Sequence, residues 1–160
     1  MPEYVLGLNA YHADSSAAIF VDGVLLAATE EERFRRIKHW AGFPSEAIRF
    51  CLREAGCSLA DLTAITIGRD PSAKRLNKGA FVLKYPKVAR ALWNQRSANK
   101  DDIELLHTMF REVEPDCDTE AVRAKLQFIE HHRSHLGSAF YPSPFEEAAI
   151  LSIDGSGDFT

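Results

Sequence analysis

Half of the six histidines in this 160-residue chain fall within five residues, His131-His132-Arg133-Ser134-His135. On an α-helix, residues four apart stand one turn above each other with Cβ atoms roughly 5–6 Å apart, so His131 and His135 can offer imidazole nitrogens to one metal ion. His132 and His135, three apart, are the competing pair, and helix capping or interior hydrogen bonding is the non-metal use of such a cluster. Two imidazoles leave a metal site incomplete. Asp154 is the best-placed carboxylate, because it follows the apolar run 148–153 and opens a glycine-bearing loop, Asp154-Gly155-Ser156-Gly157-Asp158. The backbone N–H groups of such a loop can come close to an anion, which makes Gly155, Ser156 and Gly157 candidates for holding a phosphate; a plain turn is the alternative.

Two further stretches carry chemistry. Asn9-Ala-Tyr-His12-Ala-Asp14-Ser15-Ser16 follows the first apolar run, and open α/β sheets place their ligands at such strand ends. His12 there can polarise a carbonyl or move a proton near neutral pH. Glu30-Glu-Glu-Arg33-Phe-Arg-Arg-Ile-Lys38-His39 mixes acids and bases. Most of it reads as a solvated charged surface, from which Lys38 and His39 can reach an anionic substrate.

The elements that must position these residues follow from hydrophobic period and turn chemistry. Tyr4–Asn9, 17–21 and 24–29 read as three strands, the last two joined by Asp22-Gly23, a dipeptide that accepts the positive φ of a tight hairpin. Ser45 precedes a helix over 46–55 with Ala47, Ile48, Cys51, Leu52 and Ala55 on one face and Gly56 as its stop. The β-branched run 62–67 gives a fourth strand, and a helix between strands predicts a crossover onto the same sheet. Helices over 101–110 and 118–126, a short strand over 127–130, a helix over 131–140 closed by Pro142-Ser-Pro144, and a final strand over 148–153 complete an α/β pattern.

Composition bounds the rest. The chain is 46% hydrophobic and 26% charged with a net charge of −4, which is ordinary for a globular domain. Neither a membrane span nor a secretory leader is expected, and three cysteines without paired spacing point to the reducing cytoplasm. From Arg69 to Lys100 nine basic residues face Asp70 alone, so this segment carries +8 and the remainder −12. A nucleic-acid surface is conceivable there, but a solvated basic helix is the commoner use of such a run, so nucleic acid is not the expected partner.

The segments LGLNAYHADSSAAIFVDGVLLAATEEERFRRIKHWAGFPSEAIRFCL and EHHRSHLGSAFYPSPFEEAAILSIDGSGDF together resemble, motif by motif and in order, the N-terminal part of the O-carbamoyltransferases that modify nodulation factors and antibiotics. The resemblance implies the actin, sugar-kinase and Hsp70-like fold, with residues 1–147 as a first ribonuclease-H-like lobe and 148–160 as the first strand and phosphate loop of a second. It implies a divalent metal, iron by analogy, held by His131, His135 and Asp154. It further implies that His12 binds the carbamoyl group, and that Arg36, Lys38 and His39 hold the anionic part of the donor. The co-substrates would be ATP and carbamoyl phosphate, which a separate C-terminal domain converts to carbamoyl-adenylate. The acceptor would be a hydroxyl of a small molecule, such as a sugar or natural product. Family members run to several hundred residues, so the expectation is a fragment, inactive without the second lobe and the adenylating domain. Two other readings compete: a relative of the tRNA threonylcarbamoyl transferases, and a non-catalytic metal- or nucleotide-binding module.

Overall fold

A computed structural model describes residues 1–70, 84 and 105–154. The described residues fall into two compact units, 1–67 with 105–127, and 68–70 with 84 and 128–154. The basic stretch 71–100, apart from Lys84, and the loop 155–160 lie outside the described residues.

The first unit is built on strands β1 (Tyr4–Asn9), β2 (Ser16–Val21) and β3 (Val24–Glu30), each antiparallel to the next. The hairpin between β2 and β3 has Asp22 at φ 50° and Gly23 at φ 80°, the pair of positive angles that a two-residue turn of matching twist needs. In β3 the register slips between Ile19 and Phe20, which pair with Ala27 and Leu25, so Leu26 is the extra residue of a bulge. Strand β4 (Ala64–Ile67) lies parallel to β1, as the crossover rule predicts, and the five-stranded mixed sheet has the order β3-β2-β1-β4-β5, with β5 at Leu126–Phe128. The crossover is helix α2 (Ser45–Ala55), which lies against β2 and β3 and buries Ala47, Ile48, Cys51 and Leu52 against Leu6, Leu8 and Ile19 of the sheet. Burial also makes Cys51 inert, pushing its thiol up to about 11. Helix α2 stops where the sequence predicts, at Gly56 with φ 63°.

Its start differs from the expectation. Ser45 is not an N-cap: the cap residue is Pro44, and the Ser45 hydroxyl instead accepts a hydrogen bond from Arg35 Nη2 at 2.9 Å. The orphan amides of the first turn are served from outside the helix. Glu31, fully buried, accepts from Ala47 N at 2.8 Å and Glu46 N at 3.3 Å, and also from Arg35 Nε at 2.6 Å. One member of the charged run Glu30–Arg36 is therefore a buried anchor rather than solvated surface. Helix α1 (Glu32–Arg35) starts directly after it.

Helix α3 (Leu106–Met109) runs on into a 3-10 turn, Phe110–Glu112, and inserts Leu106 and Phe110 into the core, where Phe110 meets Phe43 edge-on at 5.2 Å. The expected residues 101–104 of this helix lie outside the described residues. Helix α4 (Thr119–Lys125) is capped by Asp118, whose Oδ1 accepts from Glu120 N and Ala121 N at 3.0 and 3.1 Å. Asp118→Ala should therefore lower the unfolding free energy by about 1 kcal/mol in urea titration, with an unchanged denaturant slope.

In the second unit, helix α5 spans His131–Phe140, the bounds read from sequence. The strand expected over 148–153 is absent: residues 148–154 form no ladder, and Leu151 and Ile153 are 82% and 86% exposed. A β-branched apolar run becomes a strand only beside another strand's unpaired backbone, and among the described residues none pairs with it. No described helix is long and apolar enough to cross a membrane.

Candidate functional site

Helix α5 begins at His131 because Glu130 caps it, accepting from Arg133 N at 3.0 Å. The same carboxylate takes His132 Nδ1 at 3.3 Å and turns that ring to the cap. His131 and His135 are left as the pair on one face, their rings perpendicular at 4.6 Å and their Nε2 atoms 3.1 Å apart. Asp154 Oδ2 lies 2.6 Å from His131 Nε2 and 3.3 Å from His135 Nε2. Gly68 lies against the helix between the two histidines, where a Cβ would come within 3.1 Å of Ser134 Oγ.

Three donor atoms of two residue types thus converge on one point. Ligands about 2.0–2.2 Å from a common ion sit roughly 3.0–3.5 Å from one another. The His131–His135 and His135–Asp154 separations fall in that range, and only the His131–Asp154 contact has to open. The donor set suits a divalent cation of the zinc or iron kind. His135 is half exposed and Asp154 one-third exposed.

The other sequence candidates among the described residues lie in the first unit, on two segments laced together. His12 is exposed in the turn after β1, while Lys38 and His39 are exposed in the turn after α1, with Arg36 just before them. Ser15, fully buried, is the knot. Its amide donates to Trp40 O at 2.9 Å, its hydroxyl to Gly42 O at 2.8 Å, and its carbonyl accepts from Glu31 N at 2.9 Å. Arg35, held by Glu31, stacks on the Trp40 ring at 4.5 Å. The indole lies so close to Gly42 that a Cβ there would meet it at 2.9 Å, which is why the chain needs glycine at that position.

Four of the five non-glycine residues with positive φ among the described residues lie here: Tyr11, Asp14, Arg36 and His39. Such angles cost of order 1–3 kcal/mol each and cluster where function requires a fixed geometry. His39 Nδ1 meets Asp14 Oδ1 at 2.8 Å, and the His39 amide donates to Glu32 Oε2 at 3.1 Å. The Asp14 carboxylate beside it raises the His39 pKa above the usual 6.5, with a smaller contribution from Glu32. A raised folded-state value means that the pairing is complete below pH 6.5 and is lost as pH rises through the raised value.

Asp14, Ser15, Trp40 and Glu31 were not singled out by sequence as site residues. The available signal is the acid and two hydroxyls directly after His12. The candidate phosphate loop, Gly155, Ser156 and Gly157, lies outside the described residues.

Residues 4–160 match the family described as carbamoyltransferase N-terminus. The chain belongs to this family. A curated relative at 34% identity over 156 residues is the nodulation protein NolNO of Sinorhizobium fredii, covering 94% of this chain and 21% of that protein. An uncharacterized Synechocystis protein, sll1178, is 40% identical over 161 residues, covering 98% of this chain and 26% of its own length. An uncharacterized protein of Methanocaldococcus jannaschii is 25% identical over 154 residues, or 96% of this chain and 22% of that protein. The chain thus spans about a quarter of the length of these relatives.

Proposed function

We propose that the chain is the N-terminal part of an enzyme that moves a carbamoyl group from carbamoyl phosphate, by way of carbamoyl-adenylate, to a hydroxyl of a small molecule such as a sugar or natural product. The observation that carries this reading is the convergence of His131 Nε2, His135 Nε2 and Asp154 Oδ2 in a chain of the carbamoyltransferase family. These three residues would hold a divalent metal, iron by analogy with the family, and the bound ion would supply a Lewis acid for the carbamoyl oxygen. His12 donates a hydrogen bond to the carbamoyl group, and Arg36, Lys38 and His39 hold the anionic part of the donor. As the acceptor oxygen forms its bond to the carbamoyl carbon, the bond from that carbon to the adenylate phosphate oxygen breaks and the hydroxyl proton passes to solvent. The departing AMP is held by the amides of Gly155, Ser156 and Gly157.

Residues 1–147 are read as a ribonuclease-H-like lobe of the actin-like fold, supported by the antiparallel meander β1–β3 and the parallel return to β4. Residues 148–160 are read as the start of a second lobe, which agrees with the exposure of Leu151 and Ile153 outside the five-stranded sheet. The remaining lobe and an adenylating domain would come from the rest of the whole protein. A cytoplasmic location is part of this reading, and three free cysteines support it.

The test is the reaction itself. The whole protein, supplied with carbon-14-labelled carbamoyl phosphate, ATP and a panel of hydroxylated acceptors, should release AMP and form a labelled carbamate ester. A folded, metal-loaded protein that forms neither AMP nor ester would overturn the reading.

A further inference from the structure

We propose that Asp14 is a positioning residue that fixes the His39 ring through Nδ1, so that its outward Nε2 meets a phosphoryl group. The inference deepens the proposed function and rests on its assignment of His39 to the anionic part of the donor.

The geometry behind it is redundant. Asp14 and His39 are 25 residues apart in sequence, and both sit at left-handed φ, 62° and 55°, a conformation uncommon for any residue other than glycine. Each is tied on both sides. The Asp14 carbonyl accepts from Asn9 Nδ2 at 3.0 Å, and the following Ser15 is anchored to Trp40 O and Gly42 O. The His39 amide is held by Glu32, and the following Trp40 is covered by Arg35. Two turns held by that many bonds bring about one outcome, the 2.8 Å contact between Asp14 Oδ1 and His39 Nδ1.

That contact decides what the ring can do. With Nδ1–H committed to a carboxylate, the exchangeable site is Nε2, and the His39 side chain is 75% exposed, so Nε2 faces outward. The charged groups of the described residues that bear on the ring are Asp14 and Glu32, both acids, and both favour the protonated form. A protonated ring donates from both nitrogens and forms the stronger, charge-assisted bond to a phosphate oxygen. In a neutral ring held by Asp14 the Nε2 lone pair would face the phosphate and repel it. By favouring the protonated ring, Asp14 keeps a proton on the outward Nε2.

The experiment needs neither turnover nor metal. Long-range proton–nitrogen spectra of the histidine rings are recorded on the whole protein from pH 5 to 9, for wild type, Asp14→Asn and His39→Gln, with and without sulfate. Sulfate is the probe because its charge is constant over this range. In wild type His39 should titrate above 6.5 and in Asp14→Asn close to it. Sulfate should shift the wild-type Nε2 resonance, and its affinity should fall about three- to tenfold as pH rises through the His39 value, the loss of one charge-assisted hydrogen bond at an exposed site. The fall should move to lower pH in Asp14→Asn and vanish in His39→Gln. Identical His39 titrations in wild type and Asp14→Asn would overturn the positioning role, and a His39 resonance unmoved by sulfate would overturn the anion role. Either failure would leave carbamoyl transfer standing, whereas sulfate binding without carbamoyl transfer by the whole protein would retain the receptor and remove the reaction assigned to it.

Discussion

His131→Ala and His135→Ala should each lower carbamoyl transfer by the whole protein more than about 100-fold, the upper range for removing a partner one shell outside a metal. His132→Ala should retain most of it. The two effects separate because the three histidines have different partners. His131 and His135 present Nε2 atoms 3.1 Å apart to the same Asp154 oxygen, and deleting either leaves two donors, too few to hold a cation firmly. His132 faces Glu130 and serves the helix cap, where Arg133 N remains bonded to the same carboxylate after substitution. Initial rates under saturating carbamoyl phosphate and ATP, with circular dichroism to check folding, measure this. Equal losses in all three variants would contradict the four-apart pairing.

The largest effect on stability should come from Glu31. Its carboxylate is fully buried, bonded to Arg35 Nε, Ala47 N and Glu46 N, and it joins the end of β3 to the start of α2. Glu31→Ala strands two amide donors and a guanidinium. Removing one partner of a buried ion pair costs about 3–5 kcal/mol; Arg35 remains partly exposed, so the lower end, about 3 kcal/mol, is expected. Glu31→Gln keeps one acceptor oxygen and the shape of the side chain, and should cost about 1–2 kcal/mol. Urea titration at pH 7 distinguishes them. The alanine variant should also lose the raised titration of His39, because Arg35 and Trp40 are what hold the 36–42 segment against Ser15.

Which parts of this arrangement were legible in sequence follows from the range of the interactions. The hairpin at Asp22-Gly23, the stop of α2 at Gly56 and both ends of α5 depend on neighbours within a turn or two, and these could be read directly. The parallel return to β4 followed from a helix standing between two strands. Long-range chemistry was less visible. Three consecutive acids, Glu30 to Glu32, look alike, and only the arrival of α2 at the end of β3 selects Glu31 for burial. Ser45 has the residue type of a cap, yet Arg35 claims its hydroxyl. Apolar periodicity over 148–153 has the composition of a strand, but a strand also needs a partner, which composition does not encode. For the site, spacing nominated both His131–His135 and His132–His135, and the choice is made by Glu130, an acid whose capping role depends on where the helix starts. The Asp14–His39 contact joins two turns from distant parts of the chain, so neither residue's local context announces the other.

The central claim is that His131, His135 and Asp154 form a metal site in a carbamoyltransferase. Metal content by inductively coupled plasma mass spectrometry, on the whole protein purified without oxygen and on its His135→Ala variant, tests it most directly. The prediction is close to one equivalent of a transition metal in wild type and a small fraction of that in the folded variant. A wild type without metal, or a variant that keeps the same equivalent, would contradict it.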